Sequence, residues 1–319
     1  MARDLVALAK NPVPTGAVSG TFRSFDGAEL RFARWEASRG PKRGTVCLFG
    51  GRTEFIEKYF EVVADLRRRG FGVATMDWRG QGGSVRELTN PRKGYIKDFE
   101  VYDEDLMRFM RDIVMPDCLP PYVALAHSMG GNIILRSAAM PGVWFDRVVL
   151  SAPMIRFNPR TLPAPQPVVE RFVKLVCALG GSGRYARGGS DDYGETWPFE
   201  GNKVTTDRER YNRGNAIIAA APELGLGSPT YGWLNAAFRS MRGIARPEHM
   251  AQIAVPVLFV VAGDDPIAHS PAIEDYASRL KLAAHITVPH ARHEIMQERD
   301  ELRDQFWAAF DAFTGVGNI

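Results

Sequence analysis

The segment Tyr122-Val123-Ala124-Leu125-Ala126-His127-Ser128-Met129-Gly130-Gly131-Asn132-Ile133-Ile134 passes from an apolar strand through small residues into an amphipathic helix. A serine held on so sharp a turn projects its hydroxyl clear of its neighbours, which suits it to attack a carbonyl carbon. Small residues are needed around it because strand and helix approach closely there. Gly130 and Gly131 meet that need, while Ala126 stands where glycine is usual and adds one methyl group. A serine at a helix start can also be no more than an N-cap. The two readings differ in whether a base and a carboxylate reach the same place.

A serine hydroxyl is a poor nucleophile until its proton is removed, and an imidazole with a pKa of about 6.5 suits that task. Of six histidines, His293 follows the last predicted strand in Pro289-His290-Ala291-Arg292-His293-Glu294, with His290 as its rival. His127 adjoins the serine and is expected to point elsewhere, while His249, His269 and His285 read as surface or packing residues. The carboxylate that would fix the tautomer of the imidazole comes from Ala262-Gly263-Asp264-Asp265-Pro266-Ile267. Asp265 is preferred because the turn after Gly263 should leave the residue before Pro266 facing inward; Asp264 is the alternative. A tetrahedral intermediate also needs donors for its oxyanion. One is the Met129 N–H, and the other comes from the loop after Thr45–Phe49, around Gly51 and Arg52. His290, His293 and Glu294 do not form H-E-x-x-H, and no further ligand cluster accompanies them, so no metal is expected.

These residues require a sheet that gathers several loops at one edge. Phe22 to Phe25 and Glu29 to Trp35 read as strands joined at Asp26-Gly27, a dipeptide suited to a tight hairpin. Thr45–Phe49 is a third strand, followed by a helix from about Phe55 to Arg69 that Gly70 closes. The alternation continues with a strand at Gly72 to Met76, a helix near Phe99 to Val114, a strand at Tyr122 to Ala126 and a helix from Met129 to about Met140. Further strands fall at Arg147 to Leu150, Pro256 to Val261 and Ala284 to Val288, with helices near Pro271 to Leu282 and Gln297 to Phe313. Such alternation implies right-handed crossovers and a mainly parallel sheet with helices on both faces. Between Pro153 and about Pro247 the chain is rich in Pro, Gly and aromatic residues without clear alternation, and it reads as an inserted cap. The expected division is a core of residues 1–153 and 248–319 with a cap of 154–247.

With 45% hydrophobic and 24% charged residues, the composition is that of a globular protein. A net charge of +3, from 40 Lys and Arg against 37 Asp and Glu, argues against a dedicated nucleic-acid binder. Arg67-Arg68-Arg69 and Lys42-Arg43 read as solvated surface, with a role against an anionic bilayer left open. Three scattered cysteines, Cys47, Cys118 and Cys177, suggest neither a disulfide framework nor a thiolate metal site. The opening residues lack a signal-peptide core, and no later run is apolar enough for a membrane span. A cytoplasmic location is therefore expected, with peripheral contact to the inner membrane left open.

The segments Gly50 to Tyr59, Asp77-Trp78-Arg79-Gly80-Gln81-Gly82-Gly83-Ser84, the Ser128 turn, Ala262 to Ile267 and Arg292-His293-Glu294-Ile295 together resemble the lysophospholipase and monoacylglycerol lipase group of α/β-hydrolases, and bacterial lysophospholipases above all. The resemblance covers the core from about residue 20 to 315 and no motif in the cap. In monoacylglycerol lipases the first segment begins His-Gly-Ala-Gly-Glu and ends in Tyr, with an oxyanion donor on the residue after His-Gly. Setting Glu54 and Tyr59 on that pattern places Gly50 where the His would be, and the donor on Arg52. The resemblance implies cofactor-free ester hydrolysis through Ser128, His293 and Asp265. The implied substrate is a lysophospholipid, cleaved to a fatty acid and a glycerophosphodiester. A monoacylglycerol lipase, a general carboxylesterase and a non-catalytic ligand-binding protein on the same fold are the alternatives. Trp197, Phe199, Tyr211, Tyr231 and Trp233 are expected to line an acyl groove or to form the core of the cap. Arg52 and Arg79 are expected to meet a phosphate or to pair with nearby carboxylates.

Overall fold

The computed structural model describes residues 4–38, 40–192 and 198–316. Its strands are β1 (Val18–Arg23), β2 (Glu29–Trp35), β3 (Thr45–Phe49), β4 (Gly72–Met76), β5 (Tyr122–His127), β6 (Arg147–Ser151), β7 (Val257–Ala262) and β8 (Ala283–Val288). The helices, in chain order, are α1 (Phe60–Arg68), α2 (Glu100–Phe109), α3 (Met115–Asp117), α4 (Ser128–Ser137), α5 (Gln166–Ala178), α6 (Arg208–Ala220), α7 (Tyr231–Ile244), α8 (Pro247–Gln252), α9 (Ser270–Arg279) and α10 (Asp300–Thr314).

The inner strands are apolar at almost every position because both faces of the sheet are covered. Along β5, Val123 and Leu125 join the core under α1 and α10, while Ala124 and Ala126 join the core that includes α2, α4 and α7. The eight strands lie in the order β1-β2-β4-β3-β5-β6-β7-β8. The β1–β2 and β2–β4 pairs are antiparallel and all others parallel. This is the α/β-hydrolase fold. The loops after β3, β5, β7 and β8 therefore emerge at one edge of the sheet, next to one another.

Two elements differ from the sequence expectation. β1 begins at Val18 and ends at Arg23, because residues 24–28 form the turn, with Ser24 N–H donating to Ala28 O at 2.9 Å. The stretch between β6 and β7 holds three long helices, α5, α6 and α7. Its periodicity is hard to read because α5 carries apolar side chains on its outer as well as its inner face.

Candidate active site

Ser128 opens α4 directly from β5 with φ of +49°, in the left-handed region that L-residues other than glycine seldom occupy. The turn presses against the loop after β3. A Cβ on Gly130 would lie 2.6 Å from Gly50 O, and one on Gly131 2.8 Å from the Cβ of Pro153. Neither position has room for a side chain. Ala126 points into the core, and its methyl group is fully buried there.

The loops after β5, β7 and β8 bring three polar side chains into line. Ser128 Oγ is 2.8 Å from His293 Nε2, and His293 Nδ1 is 2.7 Å from Asp265 Oδ2. The other Asp265 oxygen accepts the backbone N–H groups of Ile267 (2.8 Å) and Ala268 (2.9 Å), while Asn158 Nδ2 donates to the Asp265 carbonyl at 2.8 Å. Asp265 is therefore held at both ends. Asp264 and His290 face each other at 3.4 Å on the exposed side of the same loops, away from Ser128. Burial disfavours the charged form of His293, but the charge and hydrogen bond of Asp265 outweigh it, helped by Glu294 and Glu54, and raise its pKa above 6.5.

The loop after β3 is fixed from several sides. Gly51 N–H is taken by Glu54 Oε2, which leaves Arg52 rather than Gly51 as the residue whose amide could face a ligand. Gln81 spans the turn: its Nε2 donates to Gly51 O at 3.1 Å, and its Oε1 accepts Thr53 N–H at 2.7 Å. Thr53 itself has φ of +69°. Trp78 Nε1 donates to Gly50 O at 3.0 Å, and Asp77 accepts the N–H groups of Ile56 and Gly83 as well as the Arg31 guanidinium. The Asp77 to Ser84 motif thus acts as the buttress of this loop. Met129 N–H is in the first turn of α4, where backbone donors have no intrahelical acceptor.

A buried charged cluster next to the imidazole was not foreseen from the sequence. Lys58 Nζ lies 2.6 Å from Glu294 Oε1 and 3.2 Å from Glu54 Oε1. Burial opposes the Glu54 carboxylate, but His127, Lys58, the Tyr59 hydroxyl and Gly51 N–H overcome it and keep its pKa low. Glu294 moves the other way, its pKa raised first by burial. His127 does turn away from the serine hydroxyl, with Nδ1 3.1 Å from Ser151 O, yet its ring packs 4.7 Å from that of His293. Burial pushes its pKa down to about 4, so it is neutral at pH 7. These residues lie on three separate elements, and no local pattern signals contacts that only the tertiary fold makes.

Ser128 opens into a cavity of about 750 Å³ with mainly apolar walls. Tyr231 and Trp233 line it, as expected for two of the aromatic residues, together with Phe157 and Phe172, which the sequence reading missed. Phe199 and Tyr211 instead pack on each other, with centroids 5.7 Å apart, and Trp197 lies outside the described residues. Arg52 lines the cavity beneath the Trp233 ring. Arg79 does not: it is buried against Asp105, Asp26 and Glu87, so a contact with substrate phosphate is replaced by carboxylate pairing.

A family model described as Serine aminopeptidase, S33 matches residues 40–300. Lysophospholipase L2 of Escherichia coli (strain K12) is 30% identical over 293 residues, covering 88% of this chain and 83% of its own length. Monoglyceride lipase of Rattus norvegicus is 27% identical over 151 residues, which are 47% of this chain and 48% of that protein. Among solved structures, a soluble variant of monoglyceride lipase from Saccharomyces cerevisiae matches with a TM-score of 0.74 at 20% identity, over 95% of this chain and 97% of that one, a likeness of fold. The matched span takes in the Ser128, Asp265 and His293 loops, and the chain belongs to this family of α/β-hydrolases, in the lysophospholipase and monoacylglycerol lipase group.

Proposed function

We propose that this ester hydrolase cleaves the acyl ester of a lysophospholipid through an acyl-enzyme on Ser128. The observation that carries the reading is the hydrogen-bonded line Ser128–His293–Asp265 at the floor of a large apolar cavity. Ser128 Oγ attacks the ester carbonyl while its proton passes to His293 Nε2, and Asp265 holds the imidazolium that results. The Arg52 and Met129 amides donate to the oxyanion. His293 then gives its proton to the departing glycerol oxygen, leaving an acyl ester on Ser128. Water, deprotonated by His293, releases the fatty acid and restores the serine. None of these steps calls on a metal or organic cofactor. Arg52, one of two arginines on the cavity wall and already donating to Gly227 O, is the cation this reading assigns to a headgroup phosphate. In this reading residues 154–247 act as the cap and supply the acyl wall, while 1–153 and 248–319 form the catalytic core.

Product analysis on a panel of lysophosphatidylcholine, monoacylglycerol, short p-nitrophenyl esters and aminoacyl anilides tests it. Faster release of fatty acid from the lysophospholipid than from the monoacylglycerol is expected. The reverse order would make the protein a monoacylglycerol lipase, and cleavage of the anilide alone a peptidase.

Two further outcomes follow from the same geometry. His293 must be neutral to accept the serine proton, and its pKa is raised, so kcat/KM for a soluble ester should climb with pH along a limb centred above 6.5. A limb centred below that value in the pH–rate profile would contradict the assigned base. Replacing Gln81 by leucine removes both hydrogen bonds that brace the Arg52 peptide. Roughly tenfold loss of kcat with little change in KM is expected in steady-state assays, because the donor is misplaced only for the oxyanion.

A further inference from the structure

The peptide groups on either side of His293 are both tied, one directly and one through a side chain, to the inserted stretch between β6 and β7. Arg292 N–H donates to Glu298 Oε1 at 2.8 Å, and Glu294 N–H donates to Val204 O at 2.8 Å. The Arg292 guanidinium reaches the same stretch, with Nη1 3.0 Å from Asn202 O and 3.2 Å from Thr205 O. The Asp265 bond orients the imidazole, while these contacts set where the backbone that carries it lies. Placement matters here, since a displacement of about 1 Å from productive geometry can cost about a hundredfold in rate.

Glu298 is the joint between the two parts. Its side chain is fully buried, so donors must meet both of its oxygens. Oε1 takes Arg292 N–H, and Oε2 takes Thr206 N–H at 2.9 Å, the Thr206 hydroxyl and, at 3.3 Å, the Thr205 hydroxyl. Thr205, itself buried, also donates to Gln297 O at 2.7 Å, and Arg210 in the first turn of α6 donates from Nη1 to Glu298 O at 2.8 Å. The turn Ile295–Gln297 folds the chain so that Glu298 closes back on the residue before His293. One carboxylate oxygen therefore serves the loop of the base and the other serves the insert. An amide cannot replace it, because it offers an acceptor to one side and a donor to the other, and here both sides are donors.

We infer that Glu298 is a positioning residue for the hydrolysis: its carboxylate clamps residues 202–206 to the loop after β8, and so makes the reach of His293 to Ser128 depend on the inserted stretch. The inference rests on the Ser128–His293–Asp265 reading of the reaction.

Steady-state kinetics on a short p-nitrophenyl ester, with pH–rate profiles and unfolding curves on the same full-length proteins, test it. Glu298→Gln is expected to lower kcat by about thirtyfold or more with KM within about twofold. Thr206→Val removes the hydroxyl without changing any charge and should lower kcat about three- to fivefold, whereas Thr206→Ser, which keeps it, should stay within about twofold of the parent. In both impaired variants the pH limb should move down toward 6.5, because a displaced ring loses part of the Asp265 bond that raises its pKa. Asp265, Glu294, Glu54 and Lys58 around the ring are untouched in both, and His127 stays neutral, so a limb that moves in Thr206→Val reports geometry. Arg242→Ala breaks the ion pair with Glu170 elsewhere in the insert and should leave kcat and the limb at parent values.

The inference is overturned if folded Glu298→Gln or Thr206→Val keeps the parent kcat and limb, or if the loss falls on KM. It is equally overturned if both variants lose stability with the limb unmoved, since the clamp would then be structural alone. Should Glu298→Gln not fold, Thr206→Val, which keeps the carboxylate and its N–H partners, decides alone. Ser128→Ala is run beside them. Undiminished hydrolysis there overturns the reaction reading and this inference with it, whereas an inactive Ser128→Ala with unaltered Glu298 and Thr206 variants overturns the positioning role by itself.

Discussion

Replacing Ser128 by alanine should lower kcat for any ester substrate by about a millionfold, the scale seen when the nucleophile of a serine triad is removed. The protein should remain folded. Ser128 Oγ contributes one hydrogen bond, to His293, and alanine is no worse suited than serine to the left-handed backbone of the turn. The stability change should stay within about 1 kcal/mol. A fluorophosphonate probe should label the parent at Ser128 and leave the variant unlabelled. Undiminished esterase activity in Ser128→Ala, with unfolding curves matching the parent, would remove the serine mechanism altogether.

The second large effect is expected at Asp265. In Asp265→Asn the amide oxygen can keep the N–H groups of Ile267 and Ala268, because both bonds fall on one carboxylate oxygen while the other faces the imidazole. The amide nitrogen is then left pointing at His293 Nδ1. Two donors cannot share that contact, so the ring keeps its proton on Nε2, where it can no longer accept one from Ser128. A loss of about ten-thousandfold in kcat is expected, with KM nearly unchanged. The pH–rate limb should also move down, because the charge that raises the His293 pKa is gone. Asp264→Asn serves as the control: exposed and paired with His290, it should stay within about twofold of the parent. Equal losses in the two variants would show that the carboxylates act through the loop rather than through the imidazole.

Much of this arrangement is legible in the sequence because parallel strands force it. Ser128, Asp265 and His293 each follow a strand that reads as an apolar run, and strands of one direction deliver their following loops to one edge. The side of the chain that Asp265 faces could be argued from Pro266. The preference for Arg52 over Gly51, in contrast, came from resemblance, and its physical basis is the Glu54 contact to Gly51 N–H, which no local pattern announces. Lys58, Glu294 and His127 are invisible as a group for the same reason: each has an ordinary local role, and only the tertiary fold brings them together. The cap is obscure for another reason. Helix α5 is apolar on two sides, so it lacks the single stripe by which a helix is recognised.

Lys58 and Glu294 are 236 positions apart, yet one ammonium group serves the carboxylates of two loops. The loops after β3 and β8 are consequently a single transplantable part. Grafting the loop after β8 alone onto a related scaffold would strand the buried Glu294 carboxylate without Lys58, at a cost of about 3–5 kcal/mol, whereas the loop after β3 carries its Lys58–Glu54 pair with it but loses the second carboxylate. Chimeras of this protein should therefore exchange the two loops together, and lineages that altered one would be expected to have altered the other.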